Sequence, residues 1–152
     1  MAASVRSENI HATAVLIGDR GILVTGPSGS GKTSLALALI AHFGQSGYFS
    51  RLVGDDQLFV ETRAGRLVCR APATIAGLVE VRGIGPRPVL FEPSCVIDLH
   101  VRLLPDADVA RFQEDASDTI AGCKVPRIDA PARNALAALH VVAAWLGAAP
   151  FL

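Results

Sequence analysis

Gly26, Pro27, Ser28, Gly29, Ser30, Gly31, Lys32 and Thr33 follow one another in the chain, and their types suit one task, holding a run of phosphates. The spacing fits G-x-x-x-x-G-K-[ST], the phosphate-binding P-loop. Glycines let successive backbone N–H groups turn inward on a single anion. A helix starting just after them adds unsatisfied amides and the positive end of its dipole. Lys32 is placed to reach the β- and γ-phosphates of a nucleotide, and the Thr33 hydroxyl to hold a magnesium ion. A glycine-rich turn can be only a turn. Here the apolar run GILVT precedes it and the helix-patterned TSLALALIAHF follows, which is the strand–loop–helix order a phosphate site requires.

Such a loop needs an acid at a neighbouring strand end, to hold the metal or take a proton. RLVGDD puts Asp55 and Asp56 just past an apolar strand, while CVIDLHV embeds Asp98 within one. In an extended chain adjacent carboxylates point to opposite faces, so one of the pair is expected to face the metal while the other anchors the loop. Strand ends are where ligands gather in α/β sheets. The pair is therefore the candidate site, and Asp98 is read as a satisfied polar residue inside its strand.

The elements that must position these groups follow from the pattern. ATAVLIG and GILVTG read as strands joined by a turn at residues 18–21. The P-loop helix runs to about Phe43, a loop follows, and RLVGDD is a strand. QLFVETRAGRLVCRAP reads as a hairpin turning at Ala64 and Gly65, and ATIAGLVEVRG as a short helix leading into a strand or turn. A proline-broken stretch precedes the strong strand SCVIDLHVRLL, and a polar stretch and CKVPRIDAP lead to a closing helix. At least two antiparallel hairpins argue against a purely parallel sheet. The expected fold is α/β, a P-loop-containing mixed β-sheet flanked by helices.

Composition bounds the function. The 152 residues are read as one domain. Fourteen basic and fourteen acidic residues cancel, which argues against nucleic acid or an anionic membrane as partner. Three cysteines, Cys69, Cys95 and Cys123, lie far apart in sequence with no C-x-x-C pair, which favours reduced thiols in a cytosol. The segment 135–152 is apolar except for His140, yet rich in alanine and closed by Pro150. It is read as a helix packed on the core or on another subunit, not as a membrane anchor.

The blocks IHATAVLIGDRGILVTGPSGSGKT, RLVGDD, GLVEVRGIG and GCKVPRIDAPARN, in this order, make the chain resemble the catalytic domain of the HPr kinase/phosphorylase family. Those enzymes phosphorylate a serine of the phosphocarrier HPr. The resemblance implies ATP and Mg2+ as cofactors and an HPr-type carrier of a phosphotransferase system as acceptor. It also implies a homo-oligomer, hexameric in the family, and possible reverse phosphorolysis. Carried over by block, Asp55 is the proton acceptor and Asp56 its partner near magnesium. His11 lies close to the phosphate site, Glu80 near the metal, and Arg82 beside the transferring phosphoryl group. Glu80 and Arg82, two apart, share a face if extended while Val81 turns away; the bland alternative is a surface ion pair worth at most about 1 kcal/mol.

The chain departs from the pattern in three places. The family's N-terminal domain is expected to be absent, so that residues 1–152 form the catalytic domain alone. PRPVLFEPSCV stands where longer members carry a glycine-rich loop that helps grip HPr. The link before Asp55 is long, with Gly54 where alanine is typical. Two other functions fit the P-loop: a small-molecule kinase, which would want an arginine-rich lid, and a nucleotide-sensing module without turnover.

Overall fold

A computed structural model describes residues 7–152. In chain order the elements are β1 (Ser7–Ile10), β2 (Thr13–Ile17), β3 (Arg20–Thr25), α1 (Lys32–Gln45), β4 (Ser50–Gly54), β5 (Leu58–Arg63) and β6 (Arg66–Arg70). There follow β7 (Leu78–Val81), β8 (Gly85–Pro88), β9 (Ser94–Leu104), β10 (Ala116–Ile120), β11 (Cys123–Pro131) and α2 (Ala135–Leu146).

The expected mixed sheet is present, in the order β1-β5-β6-β9-β3-β2-β4. The pairs β2–β3, β2–β4, β5–β6 and β1–β5 are antiparallel, whereas β3 and β11 both run parallel to β9. The β5–β6 hairpin turns at Ala64 and Gly65, as its sequence predicts. Both have positive φ, 50° and 76°, which lets the turn follow the twist of the flanking strands. The length of β9 lets its first half pair with β6 and its second with β11. Three parallel strands thus end together at Thr25, Leu104 and Pro131, the side from which the P-loop and the chain into α2 leave.

The apolar residues sort into two layers. α1 buries Leu35, Ala36, Leu39 and Phe43, and α2 buries Ala138, Leu139, Val142 and Ala143, the one-sided spacing of amphipathic helices. Both stripes meet Val15, Ile22, Val24, Leu99 and Val101 on one face of the sheet. On the other face Leu23, Val53, Leu58, Val60, Leu67 and Val125 form a second core with no helical residue in it. The helices therefore flank the sheet on one side, and strands fill the other.

Three regions differ from expectation. The proline-broken stretch contains β8, which pairs with β7 as a separate two-stranded sheet. Pro86 and Pro88 are tolerated because an edge strand needs backbone donors on one side only. The polar stretch contains β10, an edge strand held by β11 alone, whose sequence ASDTI shows no apolar alternation to betray it. Cys69 and Cys95, distant in sequence, are cross-strand neighbours of β6 and β9. As expected, Asp98 is a structural acid: its carboxylate accepts from the Gly21 N–H at 2.9 Å and from Arg66 at 3.3 Å. The apolar C-terminal segment forms α2, and among the described residues no helix is long and apolar enough to cross a membrane.

Candidate functional site

The P-loop bridges β3 and α1. Gly31 caps α1 with φ 94°, a left-handed conformation that a glycine takes without strain, and no side chain caps the helix. The first-turn amides of α1 are therefore not taken by a cap, and no acid stands in that turn to oppose an anion. The Lys32 ammonium lies over the loop, donating to the carbonyls of Gly26 at 2.8 Å and Pro27 at 3.3 Å. Ser30 Oγ is buried and has no hydrogen-bond partner among the described residues.

Asp55 is the pivot of the site. It is 8% exposed and one carboxylate oxygen accepts from two hydroxyls, Thr33 Oγ1 and Thr13 Oγ1, each at 2.8 Å. One bond joins the strand β4 to the P-loop helix, the other joins it to β2. The Thr13 hydroxyl in turn accepts from the Asp56 N–H at 3.4 Å. Asp56 has φ 68°, so the chain turns sharply instead of running on extended. This corrects the expectation of opposite faces: both carboxylates line one cleft, Asp55 buried and Asp56 exposed.

That cleft, of about 470 Å³, is lined by Ser28, Gly29, Gly31, Lys32, Thr33 and Ser34 on one wall and by Glu80 and Arg82 on the other, with Asp55 and Asp56 between. Glu80 stands on β7 and Arg82 just after it, both exposed, while Val79 is buried. Val81 turns inward against the helix-side core, so the alternation of EVR places the two charged groups together as expected. His11, in the connection from β1 to β2, is exposed and is not among the lining residues.

Two contributors escaped the sequence reading. Arg133, with φ 56°, clasps the P-loop from the α2 side: its N–H donates to the Ser30 carbonyl at 2.9 Å and its Nε to the Gly29 carbonyl at 3.0 Å. Thr13 is the fully buried hydroxyl that holds Asp55. Arg133 could have been suspected as a cation just before Asn134, the N-cap of α2. Thr13 carried only the weaker signal of one polar residue in an apolar strand.

Behind the loop lies a charged network. The His100 ring bonds Thr25 through Nε2 and Asp118 through Nδ1, the latter at 2.7 Å. Arg127 donates to Asp118 at 2.7 Å, and Arg102 grips Asp129 with two bonds of 2.8 and 3.1 Å. Burial holds His100 below the ordinary histidine range, against the opposing pull of Asp118. Burial raises Asp118, but the bonds from Arg127 and His100 outweigh it and leave the carboxyl below its usual range. A neutral His100 donates from Nδ1 and accepts the Thr25 hydroxyl at Nε2. Thr25 is the residue before Gly26, so the network fixes the strand end from which the loop departs.

The donor set fits a polyphosphate, with amides, an ammonium and a guanidinium converging on one cleft. It also fits a hard divalent cation. Among the described residues no group of three or more His, Cys, Asp or Glu side chains forms a closed cage. A magnesium ion would need none, because it is usually held by one or two carboxylates and substrate phosphates and keeps several waters.

Comparison with known proteins supplies the family. The family model of the HPr serine kinase C-terminal domain matches residues 3–146. The HPr kinase/phosphorylase of Limosilactobacillus reuteri is 34% identical over 139 residues, spanning 84% of this chain and 42% of that protein. The Clostridium tetani protein of the same name is 38% identical over 92 residues, 59% of this chain and 28% of that protein. The solved structure of the Hpr(Ser) kinase/phosphatase from Coxiella burnetii aligns with a TM-score of 0.75 at 25% identity, covering 89% of this chain and 93% of that one. The chain spans less than half the length of the curated relatives it matches. It belongs to the HPr serine kinase C-terminal domain family.

Proposed function

We propose that this chain is a protein-serine kinase that transfers the γ-phosphoryl group of ATP, with Mg2+, to a serine of an HPr-type carrier. The observation that carries this reading is the buried Asp55, bonded to the P-loop Thr33 and facing a cleft that also holds Lys32, Arg82 and Glu80. Asp55 accepts the serine proton; the two hydroxyl bonds that hold its carboxylate at the cleft support this role. The P-loop amides and Lys32 bind the phosphates, and Arg82 stabilises charge on the group in transfer. Thr33, Asp56 and Glu80 would hold a magnesium ion through hard oxygens, and the ion would neutralise phosphate charge. His11 stays in the catalytic set on its sequence block alone.

The reverse reaction, attack of inorganic phosphate on the phosphoserine to give serine and pyrophosphate, uses the same groups. We infer that it is the weaker direction, because PRPVLFEPSCV, which begins within β8, stands where longer members carry the glycine-rich loop that helps hold the carrier. A cytosolic location and a homo-oligomer, hexameric by resemblance, belong to the same proposal.

The test is incubation with labelled ATP, magnesium and a purified HPr-type protein. Phosphate on a carrier serine supports the reading. Transfer to a small molecule, or nucleotide binding without transfer to any acceptor, would replace it with one of the other P-loop functions.

A further inference from the structure

Cys69 and Cys95, 26 positions apart, sit directly opposite one another on the antiparallel pair β6–β9, with their sulfurs 3.7 Å apart. A disulfide needs about 2.05 Å, so the sulfurs must approach by roughly 1.7 Å, within reach of side-chain adjustment on a backbone the ladder already holds. The two thiols are unequal. Cys69 is fully buried and Cys95 half-buried, so Cys95 is the one a small solute can reach. The adjoining Cys95 sulfur, and then burial, raise the Cys69 thiol above its ordinary range, which makes Cys69 the poorer nucleophile toward an oxidant in solution. Cys123 lies elsewhere, its thiol directed at the Gly65 carbonyl at 3.4 Å.

The chain between the two cysteines is the part of the molecule that carries β7, β8, Glu80 and Arg82. A bond between Cys69 and Cys95 would close that excursion at its base.

We propose that Cys69 and Cys95 are a peroxide-responsive pair that forms a reversible cross-strand disulfide and ties together the two ends of the segment bearing Glu80 and Arg82. The Cys95 thiol gives up its proton and the thiolate attacks one oxygen of hydrogen peroxide; the O–O bond breaks, the Cys95 sulfur becomes a sulfenic acid, and the departing hydroxide takes up that proton as water. The Cys69 sulfur then attacks the Cys95 sulfur, its proton leaving with the displaced hydroxide as a second water. Two thiols are oxidised and one peroxide is reduced. A thiol reductant reverses the bond by exchange. The inference needs only the two thiols and stands apart from the kinase reading.

The experiment treats the full, reduced chain with hydrogen peroxide and follows intact mass, free thiols and melting temperature. The expected result is loss of two hydrogen atoms, a fall from three free thiols to one, and a digest peptide joining Cys69 to Cys95, all reversed by dithiothreitol. The oxidised chain should melt several degrees higher, since the bond closes a loop in the unfolded ensemble. Cys69→Ser should leave a sulfenic acid on Cys95 that dimedone captures, whereas Cys123→Ser should cross-link as the parent does. Three thiols surviving the treatment, oxygen added to Cys95 in the parent chain without a cross-link, a cross-link through Cys123, or a lower melting temperature on oxidation would each overturn the proposal.

Discussion

The two walls of the cleft are built on different principles. On one, Lys32 and Thr33 rise from the centre of the large sheet, half-buried, past the end of β3, which runs parallel to β9 and antiparallel to β2. They are locked by Thr33 to Asp55, Asp55 to Thr13, and Arg133 to the loop carbonyls. On the other, Glu80 and Arg82 are exposed on a two-stranded hairpin outside that sheet, with Val79 as its buried residue and two prolines in its second strand. The difference teaches a division of labour. On the proposed reading, the groups that would hold phosphates are fixed in advance, as electrostatic stabilisation requires. Groups on the hairpin reach the cleft through long side chains from an exposed element.

Breaking the fixed wall should have the largest effect. Lys32→Ala is expected to lower phosphoryl transfer by about 10³-fold and to weaken nucleotide binding as well, because one charged donor to the phosphates is lost. Titration with ATP checks the second half, and binding equal to the parent would remove Lys32 from the site. Arg82→Ala, on the open wall, should cost about 10² in transfer with little change in nucleotide affinity. If affinity falls as steeply as it does in the lysine variant, the contrast between the walls does not hold.

A smaller effect concerns stability. Thr13→Val keeps the shape of a fully buried side chain but removes the hydroxyl that serves Asp55 and Asp56. A loss of about 1–3 kcal/mol is expected, measurable by denaturant unfolding. Thr13→Ser should recover most of it.

The smallest expected effect is one of pH. His100 is held below the ordinary histidine range by burial, so the unfolded chain binds a proton before the folded one does. Its contribution is complete above about pH 6.5 and declines as pH falls below that, until His100 itself titrates in the fold. Protonation would also cost Nε2 its lone pair toward Thr25 and add a positive charge near Arg102 and Arg127, which Asp118 and Asp129 offset. Melting temperatures between pH 7.5 and about 5 should fall less steeply for His100→Asn than for the parent. Equal slopes would mean that the network does not sense acid.

The legibility of the molecule in its sequence divides along the same line. The P-loop, both flanking elements, the Ala64–Gly65 hairpin and the whole of β9 announce themselves, because each rests on local periodicity or turn chemistry. β8 and β10 do not. Each is an edge strand that needs one partner and little apolar pattern, so Pro86 or the polar ASDTI can serve. At the site, residue types suggested which groups take part but not how the chain bends: the sharp turn at Asp56 brings its N–H to Thr13, 43 positions away. Arg133 was hidden for the same reason, its contacts with Gly29 and Ser30 spanning about a hundred residues. Gly54 shows the reverse case. Alanine there would bring its Cβ to 2.4 Å from Leu58 and 3.0 Å from Ala71, so the departure from the family's usual residue suits the packing of this chain.

The most direct test of the account is a paired measurement on Asp55→Asn. Asparagine keeps the size of the side chain and can still accept from Thr13 and Thr33, but it cannot take a proton from serine. Nucleotide affinity, titrated with ATP and magnesium, should stay within about threefold of the parent, while phosphorylation of the HPr-type carrier falls by about 10²–10⁴. Transfer that persists at the parental rate, or collapses only in step with nucleotide binding, would contradict the assignment of Asp55 as the base.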